Sequence, residues 1–201
     1  VEDEPRARIV REGDARENPT SYADYPNPDA EMVQFHIGED GSKRGFLSAV
    51  LDGFDSTGVI VDDSTIGGPE LAKAEESPNR LLYVTPKLAS PLHLSGYPEI
   101  SVRMAADQPA VNLSVWMVSL PWKEGREAKI TDNIITRGWA DPQNRGSLTE
   151  SEPLEPGKFY DVKFQLQPDD QVIAAGQQIG LMIFSSDKDF SLQPEPGAKI
   201  T

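Results

Sequence analysis

Few side chains in this sequence are of the types that act as nucleophiles, general bases or metal ligands. The 201 residues include no cysteine and two histidines, His36 and His93. A thiol nucleophile, a disulfide and a zinc–thiolate site are therefore excluded. The Gly-x-Ser-x-Gly motif, which holds a nucleophilic serine on a strained turn between a strand and a helix, does not occur. We therefore expect no catalytic residue in this chain.

Neither histidine has the neighbours that a catalytic triad needs. His36 lies on the polar side of an alternating strand pattern, and His93 lies near the start of another strand, after Pro91. Neither has an acid and a serine nearby in a pattern that suggests a triad. Both are predicted to be solvated or hydrogen-bonded strand histidines.

Asp187 and Asp189 resemble the first two ligands of a calcium-binding loop. An EF-hand would then require glycine at Leu192 and glutamate at Ala198, and both positions fail. A structural ion near these aspartates, or near the pair at 169–170, is the alternative to the simpler explanation that they cap turns. We predict no metal and no cofactor.

Three tryptophans could form a platform for stacking on sugar rings. Trp116 lies on a strand that is partly apolar on both faces, which favours the core. Trp122 follows a proline at a strand end and precedes charged residues, which favours partial exposure. With Trp139 as the third member, a carbohydrate-binding module is an alternative function.

The polar loop at 139–145 (WADPQNR) allows two interpretations. In the structural one, Asp141 and Asn144 hydrogen-bond their own backbone and fix the connection. In the functional one, the loop is an interdomain interface with Trp139 as the anchor and Arg145 as a charge-assisted partner. The two are compatible, and both stay open at this point.

Composition and charge exclude two classes of partner. The chain has 33 acidic and 19 basic residues, a net charge of −14, whereas phosphate binding needs clustered lysine and arginine. No apolar run approaches the roughly 18 residues that span a bilayer, and no signal peptide opens the chain. Neither nucleic acid nor a membrane is expected as a partner.

The elements that would hold these residues are strands. Residues 179–185 have apolar side chains on both faces, with Ile179, Leu181 and Ile183 alternating with Met182 and Phe184. A strand buried on both sides implies a sheet that is covered on both faces. Further strands are predicted at 33–37, 58–63, 81–84, 99–104, 111–118, 130–135 and 160–166. The prediction is an all-β sandwich.

Several connections are predicted as well. Residues 107–109 would join antiparallel neighbours, residues 138–152 would form a long loop, and residues 168–170 would close the preceding strand. Ser114 would point outward. No amphipathic helix of 12 residues is expected, only a turn or two within 69–76. Residues 1–31 are predicted to be an extended entry segment of the same domain, with an edge strand near 8–11, and residues 32–201 the single sandwich domain.

Four stretches carry a family resemblance. In chain order they are 25–28 (YPNP), 94–98 (LSGYP), 137–145 (RGWADPQNR) and the stretch from 175–181 (AGQQIGL) to Phe190. They resemble the C-terminal non-catalytic domain of the Xaa-Pro dipeptidyl-peptidase and cocaine-esterase family of serine hydrolases. One departure is the pair at 177–178, Gln-Gln where the family usually has His-Arg.

The resemblance implies a fold and a function. The fold would be a jelly-roll β-sandwich of the galactose-binding-like kind. The domain would pack on the α/β-hydrolase catalytic domain of its own parent chain and shape the active-site pocket. The parent would release N-terminal Xaa-Pro dipeptides through an acyl-enzyme, with a catalytic triad outside this chain. This fragment alone would not be an enzyme, and the parent would be a serine-type dipeptidyl-peptidase or a related acyl esterase.

The resemblance also assigns site residues. Residues 66–71 (IGGPEL) resemble the family's Gly-Gly segment, so Gly67, Gly68 and Leu71 are predicted at the pocket rim, with Leu71 touching substrate. Gly67 and Gly68 also permit positive φ and close backbone approach, which suits docking against another domain, and a flexible surface loop is the alternative interpretation of this segment. A homo-oligomer is compatible with the resemblance, which favours a secreted bacterial protein.

The alternative function is a free-standing carbohydrate- or protein-binding β-sandwich module. An accessory domain should expose a large apolar patch where the catalytic domain docks, whereas a sugar-binding module should expose an aromatic pair over a polar groove.

Overall fold

The chain is built almost entirely of β-strands. A computed structural model describes residues 4–11, 15–50 and 57–201, so parts of the predicted entry segment and of residues 32–201 lie outside the described residues. The strands in the described ranges are β1 (Ala7–Ile9), β2 (Thr20–Tyr22), β3 (His36–Gly38), β4 (Gly45–Ser48), β5 (Ile60–Val61), β6 (Arg80–Val84), β7 (Leu92–Gly96), β8 (Glu99–Met104), β9 (Leu113–Leu120), β10 (Ile134–Ala140), β11 (Tyr160–Gln165), β12 (Asp169–Ile173), β13 (Gln178–Phe184) and β14 (Lys199–Ile200).

Helical structure in the described ranges is short. It consists of one α-helix, α1 (Gly68–Lys73), and two 3₁₀ turns at Ile130–Asn133 and Pro142–Asn144. The all-β prediction is therefore confirmed at the level of a mostly β, multi-sheet fold, and α1 matches the turn or two predicted within 69–76.

Six strands form the principal sheet, in the order β10-β9-β13-β6-β4-β3. Neighbours are antiparallel except β4 and β6, which run parallel. The other strands pair as β8 with β11, β7 with β12, β5 with β14 and β1 with β2. The strand predicted from residues 179–185 is β13, which lies in the interior of the principal sheet between β9 and β6.

Apolar side chains cover the principal sheet on both faces. We call the cluster on one face the inner cluster; it contains Ile179 and Ile183 of β13 together with Met104 of β8 and Val162 of β11. The outer cluster lies on the opposite face beneath α1 and contains Leu71, Ala72, Leu82, Val84, Trp116, Val118, Leu120, Met182 and Phe184. The prediction that this strand is buried on both sides is confirmed.

Several of the predicted strands differ in extent, and the strand predicted at 58–63 is reduced to Ile60–Val61. The pattern at 33–37 becomes a strand only at His36, because β4 provides partners for no more than three residues, and Val33 and Phe35 stay exposed. Residues 130–135 begin with a 3₁₀ turn, and β10 starts only at Ile134.

Three predicted connections and one predicted side-chain orientation are wrong. Residues 107–109 do not join neighbours, because β8 pairs with β11 whereas β9 pairs with β10 and β13. The loop predicted at 138–152 starts later, since β10 runs to Ala140. Asp170 does not close a strand but lies in β12. Ser114 is fully buried, because its hydroxyl donates to the carbonyl of Ser185 at 2.6 Å.

The entry segment packs on the β7–β12 pair. Arg11 Nε lies 2.5 Å and His93 Nε2 lies 3.0 Å from Oδ1 of the buried Asp170. Tyr25 Oη donates to the carbonyl oxygen of Asp169 at 2.9 Å. His93 is thus a hydrogen-bonded strand histidine. Burial opposes ionisation of Asp170, but hydrogen bonds from His93 and Arg11 outweigh it and lower the pKa of this carboxyl.

Truncating β13 tests how much the two-sided burial contributes. We expect Met182→Ala to lower the free energy of unfolding by about 2–5 kcal/mol, because the side chain is fully buried in the outer cluster. Leu192→Ala is the matched control at an exposed position and should change it by less than about 0.5 kcal/mol. Urea unfolding measures both, and equal effects would contradict the assignment of Met182 to the core.

The lowered pKa of Asp170 predicts a pH dependence. Stability from its ionised form is fully present above the ordinary aspartate pKa of about 4 and is lost as the pH falls through the lowered pKa. Asp170→Asn should therefore destabilise the protein at pH 7 by about 1–3 kcal/mol, and the difference from the unaltered protein should shrink below about pH 4. Asp161→Asn, at an exposed position of β11, is the control for unfolding measured across this pH range.

Candidate functional site

Metal-ligating side chains are not clustered in the described part of the chain. No cluster of three or more histidine, aspartate or glutamate side chains there could hold a metal ion. None of the helices described is long and apolar enough to cross a membrane. The predicted site residues lie at α1 and from the end of β10 through the 3₁₀ turn that follows it.

The predicted rim glycines lie at the start of α1. Gly67 precedes the helix with an extended backbone, φ −80°, and Gly68 is its first residue. The Gly67–Gly68 segment therefore does not require positive φ. A Cβ atom on Gly68 would lie 2.3 Å from Cη2 of Trp116, whereas the nearest atom to a Cβ on Gly67 would be Pro69 Cδ at 3.6 Å. Gly68 is required for the close approach of the helix to the indole ring.

Leu71 faces the interior of this domain. Its side chain is 3% exposed and packs in the outer cluster. The exposed side of the first turn of α1 is formed by Pro69 and Glu70. Any surface that α1 presents to another domain is therefore made by Pro69, Glu70 and Lys73, together with Gly67 just before the helix, and not by Leu71.

A buried carboxylate connects the start of α1 with Trp139, which belongs to the second region predicted to be functional, residues 139–145. Asp187 is 1% exposed, and its Oδ2 accepts hydrogen bonds from Trp116 Nε1 at 3.2 Å and from Trp139 Nε1 at 3.1 Å. Gly68, at the start of α1, packs directly against the Trp116 ring. From the sequence, Trp139 is predicted in a loop, and Asp187 is a candidate metal ligand. Nothing in their spacing indicates that the indole and the carboxylate would meet. We call the set Gly68, Trp116, Trp139 and Asp187 the indole hub.

The outer side of the indole hub is aromatic. Trp139 stacks on Phe190 with ring centroids 5.6 Å apart, and the guanidinium of Arg137 lies 3.9 Å from the Phe190 centroid. Phe190 is 53% exposed. Because the two rings pack against each other and against a cation, they do not form an open sugar platform.

The three tryptophans do not form the platform that the sequence suggested. Trp116 is buried, and Trp122 is partly buried against the outer cluster. Trp139 is bound to Asp187 through its indole nitrogen. An exposed pair of tryptophans over a polar groove is thus absent from the described residues.

The polar residues of the loop after β10 bind their own loop. Asp141 Oδ1 accepts from the Gln143 amide at 3.2 Å, and Asn144 Nδ2 donates to the Ser147 carbonyl at 3.2 Å. The structural interpretation of Asp141 and Asn144 is confirmed by these contacts.

Arg145 also has partners within this chain. Its Nη2 lies 2.9 Å from Glu152 Oε2, and its guanidinium lies 4.3 Å from the centroid of the Tyr160 ring. A contact of Arg145 with another domain would therefore have to add to these interactions or replace them.

The two glycines of the rim are expected to respond differently to substitution. Gly68→Ala forces a methyl group into Trp116 and should destabilise the protein by about 1–3 kcal/mol. Gly67→Ala meets only ordinary contacts and should change the free energy of unfolding by less than about 0.5 kcal/mol. Urea unfolding with tryptophan fluorescence measures both variants. Equal tolerance at the two positions would contradict the role of Gly68 in the indole hub.

Sequence comparisons identify relatives along the whole chain. Residues 1–201 match the family described as the X-Pro dipeptidyl-peptidase C-terminal non-catalytic domain. A Rhodopirellula baltica protein whose name assigns it to the Xaa-Pro dipeptidyl-peptidases is 54% identical over 201 residues, which is 100% of this chain and 32% of that protein. A Bacillus anthracis protein with the same assignment is 33% identical over 196 residues, covering 92% of this chain and 30% of that protein.

Solved structures share the fold at low identity. The crystal structure of an aminopeptidase from a marine sediment Thaumarchaeota archaeon has a TM-score of 0.74 at 17% identity and covers 98% of this chain and 38% of its own. An α-amino acid ester hydrolase has a TM-score of 0.71 at 16% identity and covers 98% of this chain and 39% of its own.

The chain spans about one third of the length of these relatives and structures. The resemblance drawn from the four sequence stretches is confirmed by the full-length family match. The chain belongs to the family of C-terminal non-catalytic domains of X-Pro dipeptidyl-peptidases.

Proposed function

We propose that this chain is the accessory domain of a serine hydrolase similar to Xaa-Pro dipeptidyl-peptidase. In this proposal its strands follow a jelly-roll path, and residues 1–31 form one folding unit with the rest. The domain packs on the α/β-hydrolase domain of the same parent protein and forms part of the pocket wall. The parent releases N-terminal dipeptides with proline in the second position through an acyl-enzyme.

The observation that carries the proposal is the family match over all of residues 1–201, in a chain that spans about a third of its relatives. The sequence contains neither a nucleophile motif nor a cysteine. An activity of the parent would therefore come from residues outside this chain, and this domain would contribute shape and contact rather than a reacting group.

The indole hub favours a single docking surface that includes both predicted regions, the Gly67–Gly68 segment and the residues around Trp139. Asp187 accepts hydrogen bonds from both Trp116 and Trp139. Trp116 packs against the start of α1, and Trp139 stacks on Phe190. The rim around Gly67 and the region around Trp139 at the end of β10 are thus held on one shared support, the buried Asp187. Such a support would allow a catalytic domain to engage both regions at once with little loss of conformational entropy.

Exposed apolar side chains are consistent with a partner domain. Met32, Val33 and Phe35, next to edge strand β3, are exposed, and so are Phe190 and Leu192 near the indole hub. By contrast, the packing of the tryptophans provides no support for a free-standing sugar-binding module. We therefore retain the accessory-domain function as the conclusion.

Hydrolysis assays test the proposal. The full-length parent is assayed with chromogenic Gly-Pro and Ala-Pro amides and with a short-chain ester, beside a form that lacks this domain. We expect the parent to hydrolyse the prolyl amides and the shortened form to lose this activity. Unchanged activity after deletion would refute the role of the domain in the pocket.

A point variant separates the pocket wall from general stability. Glu70→Lys reverses an exposed charge on α1 and should raise KM for the prolyl amides by about tenfold if α1 borders the pocket. Asp161→Lys reverses an exposed charge on β11 and should leave KM unchanged. Equal KM values for the two variants would place α1 away from the substrate.

A further inference from the structure

Arg80, the first residue of β6, is a buried cation whose guanidinium binds backbone carbonyls. The residue is 1% exposed. Its Nη1 donates to the carbonyls of three residues in the β3–β4 turn, Gly41 at 3.1 Å, Ser42 at 2.8 Å and Lys43 at 2.9 Å. Its Nε and Nη2 donate to carbonyls at the end of α1, Leu71 at 3.3 Å, Ala74 at 2.6 Å and Glu75 at 3.4 Å.

Carbonyl dipoles, rather than a carboxylate, balance this charge. Across residues 4–11, 15–50 and 57–201 no ion pair is found for Arg80. Burial lowers the pKa of its guanidinium, and the nearby Arg44 lowers it further. The carbonyls of Leu71, Ala74 and Glu75 lie at the negative end of the α1 dipole, where a cation is stabilised. Arg80 therefore stays buried because two chain segments direct their carbonyls at it.

The helix that Arg80 holds cannot maintain its position alone. With six residues, α1 is too short to be stable without packing, and Gly67 offers no side chain to cap its start. The N-terminal end is fixed where Gly68 contacts Trp116, and the C-terminal end is fixed by Arg80. If either end were released, α1 could pivot about the other.

We infer that Arg80 is a positioning residue that sets where α1 and the Gly67–Gly68 segment lie over the principal sheet. The same guanidinium fixes the β3–β4 turn, so that turn and α1 move as one body. This inference rests on the proposed function where it concerns the pocket wall. It does not depend on it where it concerns the position of α1 within this domain.

Lysine is the discriminating substitution. Arginine has five N–H donors in a rigid planar fork, whereas lysine has three donors at one point. Arg80→Lys keeps the charge but cannot bind the turn and the helix from opposite sides. Charge alone is therefore insufficient, and the geometry of the fork is what holds the two segments together.

The test uses the full-length parent carrying Arg80→Lys. We expect amide hydrogen exchange at Glu70, Leu71 and Ala74, whose N–H groups bond within α1 or to Gly67, to become about tenfold faster or more. Exchange in β13 should stay unchanged. KM for the Ala-Pro amide should rise about tenfold while kcat changes less than about twofold, because a displaced wall weakens binding without touching the reacting groups.

Arg103→Lys is the matched control, since Arg103 is exposed on β8 and should change neither exchange nor KM. Unchanged exchange in α1 of Arg80→Lys would overturn the inference. Equal acceleration in α1 and β13 would also overturn it, because Arg80 would then stabilise the whole domain without positioning α1. If the unaltered parent fails to hydrolyse both the prolyl amides and the ester, the proposed function fails, and the exchange data still decide the role of Arg80 in placing α1.

Discussion

The burial of β13 on both faces is the constraint on which the rest of this structure depends. A strand with apolar side chains on each side requires cover above and below the principal sheet. On one side the cover includes strands β8 and β11, which contribute to the inner cluster. On the other side it includes α1 with Leu71 and Ala72 in the outer cluster. The short helix is therefore part of the core, even though its first turn also reaches the surface.

Burying polar groups beneath α1 required partners of a particular kind. Asp187 accepts two indole N–H groups, and Arg80 donates to several backbone carbonyls. In both cases neutral dipoles satisfy a charged group. Each contact also fixes a direction in space, since hydrogen bonds to charged groups are strong only at good geometry. The two residues thus give α1 and the Trp139 region defined positions that apolar packing alone would not impose.

The sequence predicted the strand periodicity well, because two-residue alternation reflects burial directly. It identified the two-faced strand at β13, the one-faced strand at β8 and the resemblance to the C-terminal non-catalytic domain. It failed where pairing over long range decides the outcome. The link at 107–109 is short, as between hairpin strands, yet β8 and β9 belong to different sheets. The alternation of the strand predicts Ser114 outside, but a carbonyl oxygen 2.6 Å from its hydroxyl allows it inside.

The contacts among the predicted site residues were hidden from the sequence for a similar reason. Motif resemblance indicated the Gly67–Gly68 segment and residues 139–145, but not that one carboxylate would bind both Trp116, beside Gly68, and Trp139. The role of Arg80, the first residue of β6, is not visible in the sequence, because the residues that its guanidinium binds contribute only backbone atoms. Backbone acceptors leave no trace in side-chain type, so no sequence pattern could have revealed them.

Because α1 packs on the core through its inward face, its outward positions are not needed for packing. Leu71 and Ala72 pack into the core, whereas Pro69, Glu70 and Lys73 face solvent. Substitutions at exposed positions usually change stability little. This surface can therefore diverge among homologous domains without endangering the fold, while the β-framework beneath it stays constant.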